Sequence, residues 1–513
     1  LIINWFDNNY LKFVPETEQE QRQIEYFFTR KIKNYRFRTK WGNGEVHFYK
    51  KGNLLPIGLW NELVQMCKIN KFPTKIDQTF IENIKIKTDL EEIRHFCHSI
   101  LRESKNLVPY DEQIESIFLA IKNRFSILNL STSLGKSLLI YLLILYIFYR
   151  KHGKKVLIVC IDPDLVMQLY DNFLEYAGNK VHLKMGMVHG KSNKKNLEDK
   201  RIIIGNFQTL VNMPKDFFKE FDVVISDEAH RTNSKSMIEI FKSCINSQIR
   251  CGLTGSFKDD KTADYYTILS NLGPVVNLVK KKDIMDKGMA TIADIKIYVL
   301  NYATTEQRSI LLSMKLKAKD DESLYTKIYQ LEQEMIRESE VRARYLANFI
   351  ATKSGNILVY FLDVMGGYGK KIMEMCQSVN NSRNYYYVDG SVSSDLRKVY
   401  MDRMEENDDI VIFATYGTMS TGKNIRKLHT IINIELLKAF ETVSQTFGRG
   451  MRKHESKDKF EWIDIVDDFS FHDPDFGRYK GYSLKHMKER CDIYEKDEGL
   501  EYKVYNVDLT KEN

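Results

Sequence analysis

Proline is scarce, at eight in 513 residues, where an average usage of about 5% would give roughly three times as many. Gly/Ser-rich runs are few as well, which argues against long flexible linkers. The seven cysteines (67, 97, 160, 244, 251, 376 and 491) are odd in number, and no two have Cys-x-x-Cys spacing. Most sit in apolar surroundings, so they read as buried thiols of a reduced, intracellular protein. His95, Cys97 and His98 lie close in sequence, but their spacing fits no common zinc pattern, and they read as an accident of one helix. No apolar run reaches the roughly 20 residues a bilayer span needs. The most apolar stretch is Leu138 to Tyr149, so no membrane partner is expected. There is no signal-peptide pattern, short-period repeat or low-complexity tract. The chain opens Leu1-Ile-Ile-Asn4 without an initiator Met, as a truncated start would.

What is present is a globular composition, 43% apolar and 28% charged. A chain of 513 residues is too long for one core, and length suggests roughly three or four domains. The formal charge of +8 suits a polyanion binder without requiring one. Residues 1–105 lack the strand–helix alternation of the rest. Within them Arg30, Lys31, Lys33, Arg36, Arg38, Lys40, Lys50 and Lys51 face a single acid, Glu45, and aromatic residues are interleaved. Trp41-Gly-Asn-Gly-Glu45 reads as a turn between two extended runs, and Tyr35-Arg-Phe-Arg-Thr39 alternates rings with cations. A hairpin carrying Arg36, Arg38 and Lys40 on one face would grip a phosphate backbone. A small α+β domain with solvated cations is the plainer alternative.

From about 107 to 275, apolar runs of strand length recur at Ile127–Leu130, Val156–Cys160, Arg201–Ile204, Val223–Ser226 and Arg250–Leu253. Amphipathic stretches such as Leu165–Tyr176 separate several of them, the signature of a parallel sheet flanked by helices. A charged connector follows and ends in a long helical segment, Ser323–Ile350. A second α/β block starts at Asn356, with strands expected at Ile357–Phe361, Tyr385–Val388, Ile410–Ala414, Thr430–Ile434 and Trp462–Val466. The tail beyond about 475 reads as a helix packed on this block. The expected domains are 1–105, 106–280, 281–350, 351–475 and 476–513.

Three stretches carry chemistry. Ile127–Leu130 runs into Ser131-Thr-Ser-Leu-Gly-Lys-Ser137 and then a long apolar helix. Backbone N–H groups of such a turn cradle phosphates; Lys136 would reach the β- and γ-phosphates, and the Ser137 hydroxyl would sit on Mg²⁺. Leu130 stands where the full consensus has its first Gly, so on this stretch alone a chance turn capping a core helix stays open. Asp227-Glu-Ala-His230 follows an apolar strand. There Asp227 would hold the metal and Glu228 would polarise the attacking water. Gln445-Thr-Phe-Gly-Arg-Gly-Met-Arg452 lies in the second block. Arg449 and Arg452 share a face if helical, and their guanidinium groups would stabilise the charge developing in phosphoryl transfer.

Together these resemble the superfamily-two helicases and translocases. Ser131–Ser137 resembles motif I, Asp227–His230 motif II, and Leu253-Thr-Gly-Ser256 motif III. Ile161-Asp-Pro-Asp-Leu-Val-Met-Gln168 is similar to motif Ia, Gly205-Asn-Phe-Gln-Thr-Leu210 to motif Ib, and Val359-Tyr-Phe361 to motif IV. Thr415–Gly422 with Asn424 is similar to motif V, and Gln445–Arg452 to motif VI. The resemblance implies nucleotide contacts from Gln113, Ser131, Thr132, Ser133, Gly135, Lys136, Ser137, Gly422 and Asn424. It implies metal contacts from Ser137 and Asp227, and catalytic roles for Lys136, Glu228, Arg449 and Arg452. Thr254, Ser256 and Gln445 would couple nucleotide state to movement, and Pro163, Gln168, Gln208, Thr209 and Thr415 would touch the nucleic-acid backbone. Gln113 departs from the family in that its nearest aromatic residue, Tyr110, is separated from it by Asp111 and Glu112. The Asp-Glu-Ala-His tetrapeptide does not by itself make the chain an RNA helicase of the DEAH-box group.

A narrower resemblance, to the recombination helicases of T-even-type bacteriophages, runs nearly end to end. It includes Arg36-Phe-Arg38, Gly42-Asn-Gly44, Asn53-Leu-Leu-Pro-Ile-Gly58, Ile127–Leu130 and Tyr479-Lys-Gly-Tyr-Ser-Leu-Lys-His486. It implies an α/β fold of two tandem RecA-like parallel-sheet lobes preceded by a small α+β DNA-binding domain, with ATP and Mg²⁺ as cofactors. The implied partners are branched, single- and double-stranded DNA, an RNA–DNA hybrid, and a small accessory protein or recombination proteins. The implied activity is ATP-driven junction migration, fork regression and unwinding of D-loops and R-loops, in the cytoplasm of an infected bacterium. A double-strand translocase that separates no strands, or an RNA helicase, is the alternative.

Overall fold

The computed structural model describes residues 1–32, 44–101, 107–130, 134–178, 183–190, 197–255, 257, 260–279, 281–288, 290–318, 321, 323–419, 425–435, 440–497 and 499–512. They form two compact units, Leu1–Val279 and Lys280–Asn513.

The first unit opens with a small mixed sheet. Its strands are β1 (Ile2–Trp5), β2 (Tyr10–Val14), β5 (Leu54–Pro56) and β6 (Lys75–Ile76), in the order β5-β2-β1-β6. β3 (Thr29–Lys31) and β4 (Glu45–His47) pair antiparallel as the base of a hairpin. The rest of the expected basic hairpin, with Arg36, Arg38 and Lys40, lies outside the described residues.

A parallel sheet follows: β7 (Phe125–Leu130), β8 (Val156–Cys160), β9 (Met185–Val188), β10 (Ile202–Asn206), β11 (Val223–Asp227), β12 (Ile249–Thr254) and β13 (Val275–Val279), in the order β13-β7-β12-β11-β8-β10-β9. The inner strands β8, β10, β11 and β12 are buried at every position, as continuous apolar runs between helical layers must be. The helix Lys136–Tyr149 is apolar nearly all round, with nine of its residues buried, so it belongs inside the lobe rather than at its surface. β9 and β13 are short edge strands without a long apolar run, so nothing in their sequence sets them apart from loop.

The small sheet is not a detachable module. One hydrophobic cluster runs from Leu1 and Phe13 through Phe28 and Leu63 to Phe125, Tyr266 and Leu272. Arg250, at the start of β12 and 2% exposed, donates to Asn9 Oδ1 on the β1–β2 turn, to Ser247 Oγ at 2.7 Å and to the Cys244 carbonyl at 3.0 Å. Arg124 donates to the carbonyls of Asn83 and Gln248. Arg30, in β3, donates to Tyr266 OH at 2.9 Å and lies over its ring. At Gly58 a Cβ would stand 1.9 Å from the Leu269 carbonyl oxygen, so only glycine lets the two layers meet.

The second unit is another parallel sheet: β14 (Ile292–Asn301), β15 (Ile357–Phe361), β16 (Asn384–Val388), β17 (Ile410–Thr415), β18 (Thr430–Asn433), β19 (Lys459–Asp467) and, beyond the short hairpin β20 (Phe471–Asp473) and β21 (Gly477–Tyr479), β22 (Tyr502–Asp508). The order is β16-β17-β15-β18-β19-β14-β22. The segment expected as a connector thus contributes β14 to this sheet. The tail contributes the expected helix, Tyr482–Asp492, and also β22, which pairs parallel with β14. Charges hid β14: Lys296 in it pairs with Asp294 and with Glu461 of β19, while Ile295 and Ile297 face the core. Every cysteine is buried and free. No helix among the described residues is long and apolar enough to cross a membrane, and none of their side chains cluster as a metal-holding group of three or more His, Cys, Asp or Glu.

Candidate functional site

In the first unit β7 ends at Leu130 and the next helix starts at Lys136. Residues Ser131, Thr132 and Ser133 lie outside the described residues. Gly135 turns the chain with φ +72° and ψ 51°, a left-handed conformation that suits glycine. A Cβ there would also come 2.8 Å from Gln113 Nε2. Gln113 is buried, and its amide is committed to this loop. Nε2 donates to the carbonyls of Leu134 (2.7 Å) and Gly135 (3.2 Å), and Oε1 accepts from Tyr110 N at 2.9 Å. Gln113, expected to contact the nucleotide, therefore braces the turn that precedes Lys136. The Ser137 hydroxyl lies 2.9 Å from the hydroxyl of Tyr176, which sits near the end of the helix Pro163–Ala177.

The two carboxylates arrive from β11. Asp227 is its last residue and is 8% exposed. Its Oδ1 accepts the Glu228 backbone N–H at 3.0 Å. Glu228 adopts φ 53° and ψ 55°, a left-handed backbone that a non-glycine residue holds only at a cost of about 1–3 kcal/mol. That turn directs its side chain to Lys136, with Nζ and Oε1 3.0 Å apart. Burial pushes the Asp227 carboxyl up to about 6; Lys136 pulls it down, and the Glu228 charge adds to the rise. Burial acts on Glu228 in the same direction, but Lys136, His230 and Arg231 together hold its carboxyl below the usual range. One cation thus serves mainly Glu228, and Asp227 is left as a buried, poorly compensated carboxylate. That donor set, hard oxygen in a negative pocket, fits a divalent cation such as Mg²⁺.

His230 extends the cluster. Its Nδ1 lies 3.0 Å from Thr254 Oγ1 and 3.4 Å from Glu228 Oε2. Thr254 ends β12 and is fully buried. The acids of one strand end are therefore connected through an imidazole to the next strand end. Ser256 lies outside the described residues.

Other expected residues gather at the carboxyl ends of β8 and β10, where open α/β sheets bind ligands. Asp162 caps the helix Pro163–Ala177, with exposed Pro163 as its first residue and Gln168 one turn further on. Gln208 is exposed, and Thr209 Oγ1 accepts from Gly190 N at 3.2 Å. Asn206 binds the two ends together: its Nδ2 donates to the Ile161 carbonyl (3.0 Å) and its Oδ1 accepts from Gln208 N (3.1 Å). Asn206 is the residue that sequence alone could have flagged, since an Asn immediately before a helical turn is a helix-cap signal.

In the second unit Thr415 closes β17, and its Oγ1 is 3.0 Å from Thr418 Oγ1. Gly422 and Asn424 lie outside the described residues, as does the side chain of Gln445. Arg449 sits in the last turn of the helix Phe440–Gly450, and burial lowers its pKa. The helix ends before Arg452, so the two arginines do not share one helical face. Burial, with Arg449 and Arg426 nearby, pushes Arg452 down to about 9. Its Nη1 is buried without a hydrogen-bond partner among the described residues. Lys457 clamps this turn, donating to the carbonyls of Gly450 (2.9 Å) and Leu428 (2.7 Å).

A buried network that the sequence did not reveal supports Thr415. The next residue, Tyr416, donates to Asn433 Oδ1 at 2.8 Å, and Asn433 Nδ2 donates to Asp464 Oδ1 at 2.9 Å. Asp464 is paired with Arg490 of the C-terminal helix and accepts from Trp462 and Tyr494.

Residues 92–259 match the family described as type III restriction enzyme, res subunit. The ATP-dependent DNA helicase uvsW of Enterobacteria phage T4 is 29% identical over 507 residues, which is 96% of each chain. The crystal structure of T4 UvsW is matched over 99% of both chains at 26% identity, with a TM-score of 0.49. The structure of S. cerevisiae Dbp5 bound to RNA and ADP BeF3 is matched over 82% of this chain and 96% of that one, at 12% identity and TM-score 0.54. With the ordered motifs on two successive parallel sheets and a relative aligned over nearly its whole length, the chain is UvsW-like from end to end.

Proposed function

We propose that the chain is an ATP-driven DNA motor that remodels branched DNA by junction migration, fork regression and displacement of strands from D-loops and R-loops. The observation that carries the reading is the Lys136–Glu228 pair beside buried Asp227, all at the carboxyl edge of one parallel sheet. Lys136 would bind the β- and γ-phosphates of ATP, and Ser137 and Asp227 would hold Mg²⁺. The metal supplies charge neutralisation at the phosphates. Glu228, kept ionised by Lys136, then accepts a proton from the attacking water. When Lys136 turns to a phosphate, Glu228 loses its closest cation and becomes a stronger base, so nucleotide binding itself readies the acid–base pair. The His230–Thr254 contact is the route by which that change reaches β12. Arg449 is a buried and Arg452 a half-buried cation at the motif VI turn, and hydrolysis is expected to depend on both.

Branched DNA as substrate rests on the likeness to T4 UvsW and on the basic residues that crowd the sequence between Arg30 and Lys51. Phosphate and sugar contacts would select by shape rather than sequence. The test is ATP hydrolysis by purified protein with single-stranded DNA, duplex, a four-way junction or RNA. Lys136→Ala should lower stimulated hydrolysis at least about 100-fold while junction affinity stays within about threefold. Wild-type turnover in that variant would overturn the site, and stronger stimulation by RNA than by any DNA would overturn the substrate.

A further inference from the structure

The Ser137 hydroxyl has a partner that the proposed mechanism does not use. Tyr176 comes from a different helix, Pro163–Ala177, and its hydroxyl stands 2.9 Å from Ser137 Oγ. A ring contact from Tyr141 holds the tyrosine in place. Tyr141, one turn beyond Ser137 on the same helix, packs edge-on against Tyr176 at 5.6 Å and against Phe173 at 5.5 Å. Tyr141 is itself buried. The phenol is therefore aimed at Ser137 by a packed aromatic cluster rather than by a free surface rotamer.

We propose that Tyr176 is a positioning residue for the metal ligand Ser137, which sets how tightly the nucleotide site takes Mg²⁺; this rests on the nucleotide-site reading above. A serine hydroxyl has one proton and two lone pairs. As a cation ligand it must present a lone pair, and its proton then needs an acceptor. The Tyr176 oxygen is such an acceptor, and the bond fixes the Ser137 rotamer with its lone pairs free. Without it the hydroxyl rotates, and its proton is free to point where the cation should be. Tyr176 also belongs to the helix whose first turn carries Pro163, so metal occupancy and the position of that helix share one hydrogen bond.

Tyr176→Phe removes the hydroxyl and keeps the ring against Tyr141. The measurement is equilibrium binding of a fluorescent ADP to the full chain, titrated with Mg²⁺, alongside thermal unfolding. The Mg²⁺ concentration for half-maximal tightening should rise about 3- to 10-fold, the range expected for one neutral hydrogen bond, with metal-free nucleotide affinity and unfolding temperature unchanged. Ser137→Ala should shift the same curve at least as far. A shifted Ser137→Ala curve with an unshifted Tyr176→Phe curve overturns the role of Tyr176 alone. An unshifted Ser137→Ala curve overturns it together with the metal-site reading. A Tyr176→Phe protein that loses thermal stability but keeps its Mg²⁺ dependence has lost packing only, and that also overturns the proposal.

Discussion

Asp227 should make the nucleotide-free protein less stable at neutral pH than its asparagine variant. Burial raises its carboxyl from 3.8 to about 6. A group whose folded pKa lies above its unfolded value contributes stability below the unfolded pKa and loses it as pH rises through the folded one. Asp227 is thus favourable below about pH 4, and its ionisation costs the fold progressively up to about pH 6. A shift of roughly two units corresponds to about 3 kcal/mol. Asp227→Asn keeps an oxygen for the Glu228 N–H and removes the charge, so it should recover much of that cost at pH 8 and little at pH 4.5. For a unit of this size that is about 5–10 °C in the unfolding temperature. Thermal unfolding of both proteins at the two pH values, without nucleotide or metal, decides it. Equal unfolding temperatures at pH 8, or a gain of the same size at both pH values, would refute the reasoning. Mg²⁺-dependent nucleotide binding should fail in the same variant, so the site would have exchanged stability for a cation ligand.

Arg490→Met should leave Asp464 buried without its cation and cost about 3–5 kcal/mol, read as earlier unfolding of the second unit in urea. Intact urea stability would show that the Tyr416–Asn433–Asp464 chain does not depend on the pair. Gly58→Ala should destabilise the first unit by about 2–4 kcal/mol, an overpacking cost at its severe end, because the new Cβ meets the Leu269 carbonyl. A neutral result in thermal unfolding would mean that the two layers separate at little cost.

Much of the site was legible because its residues are local in sequence and tied to strand ends. Gly135-Lys136-Ser137 and Asp227-Glu228 each follow a continuous apolar run, and both runs proved to be inner strands. What local pattern could not show was which residues the fold would bring alongside. Tyr176 and Asn206 are ordinary helix and cap residues until their strands are placed. Gln113 lies at the expected position, but that its amide is bound to the loop carbonyls depends on three-dimensional packing. β14 was missed for a different reason. Its Asp294 and Lys296 look like solvated charge in a linear reading, and only the neighbouring strand supplies Glu461 to pair with the lysine. Arg449 and Arg452 would share a face only if one helix carried both, and the helix ends at Gly450.

The shared core of the first unit governs how the front sheet can be studied. Cutting the chain near residue 105 would strip Phe28 and Leu63 from Tyr266 and Leu272, and would leave Arg250 buried without Asn9. A truncated motor would carry a raw apolar wound, so weak DNA binding by it would report damage rather than a missing grip. Charge reversal on the front sheet's surface leaves that seam closed, and it is the cleaner way to ask what those residues hold.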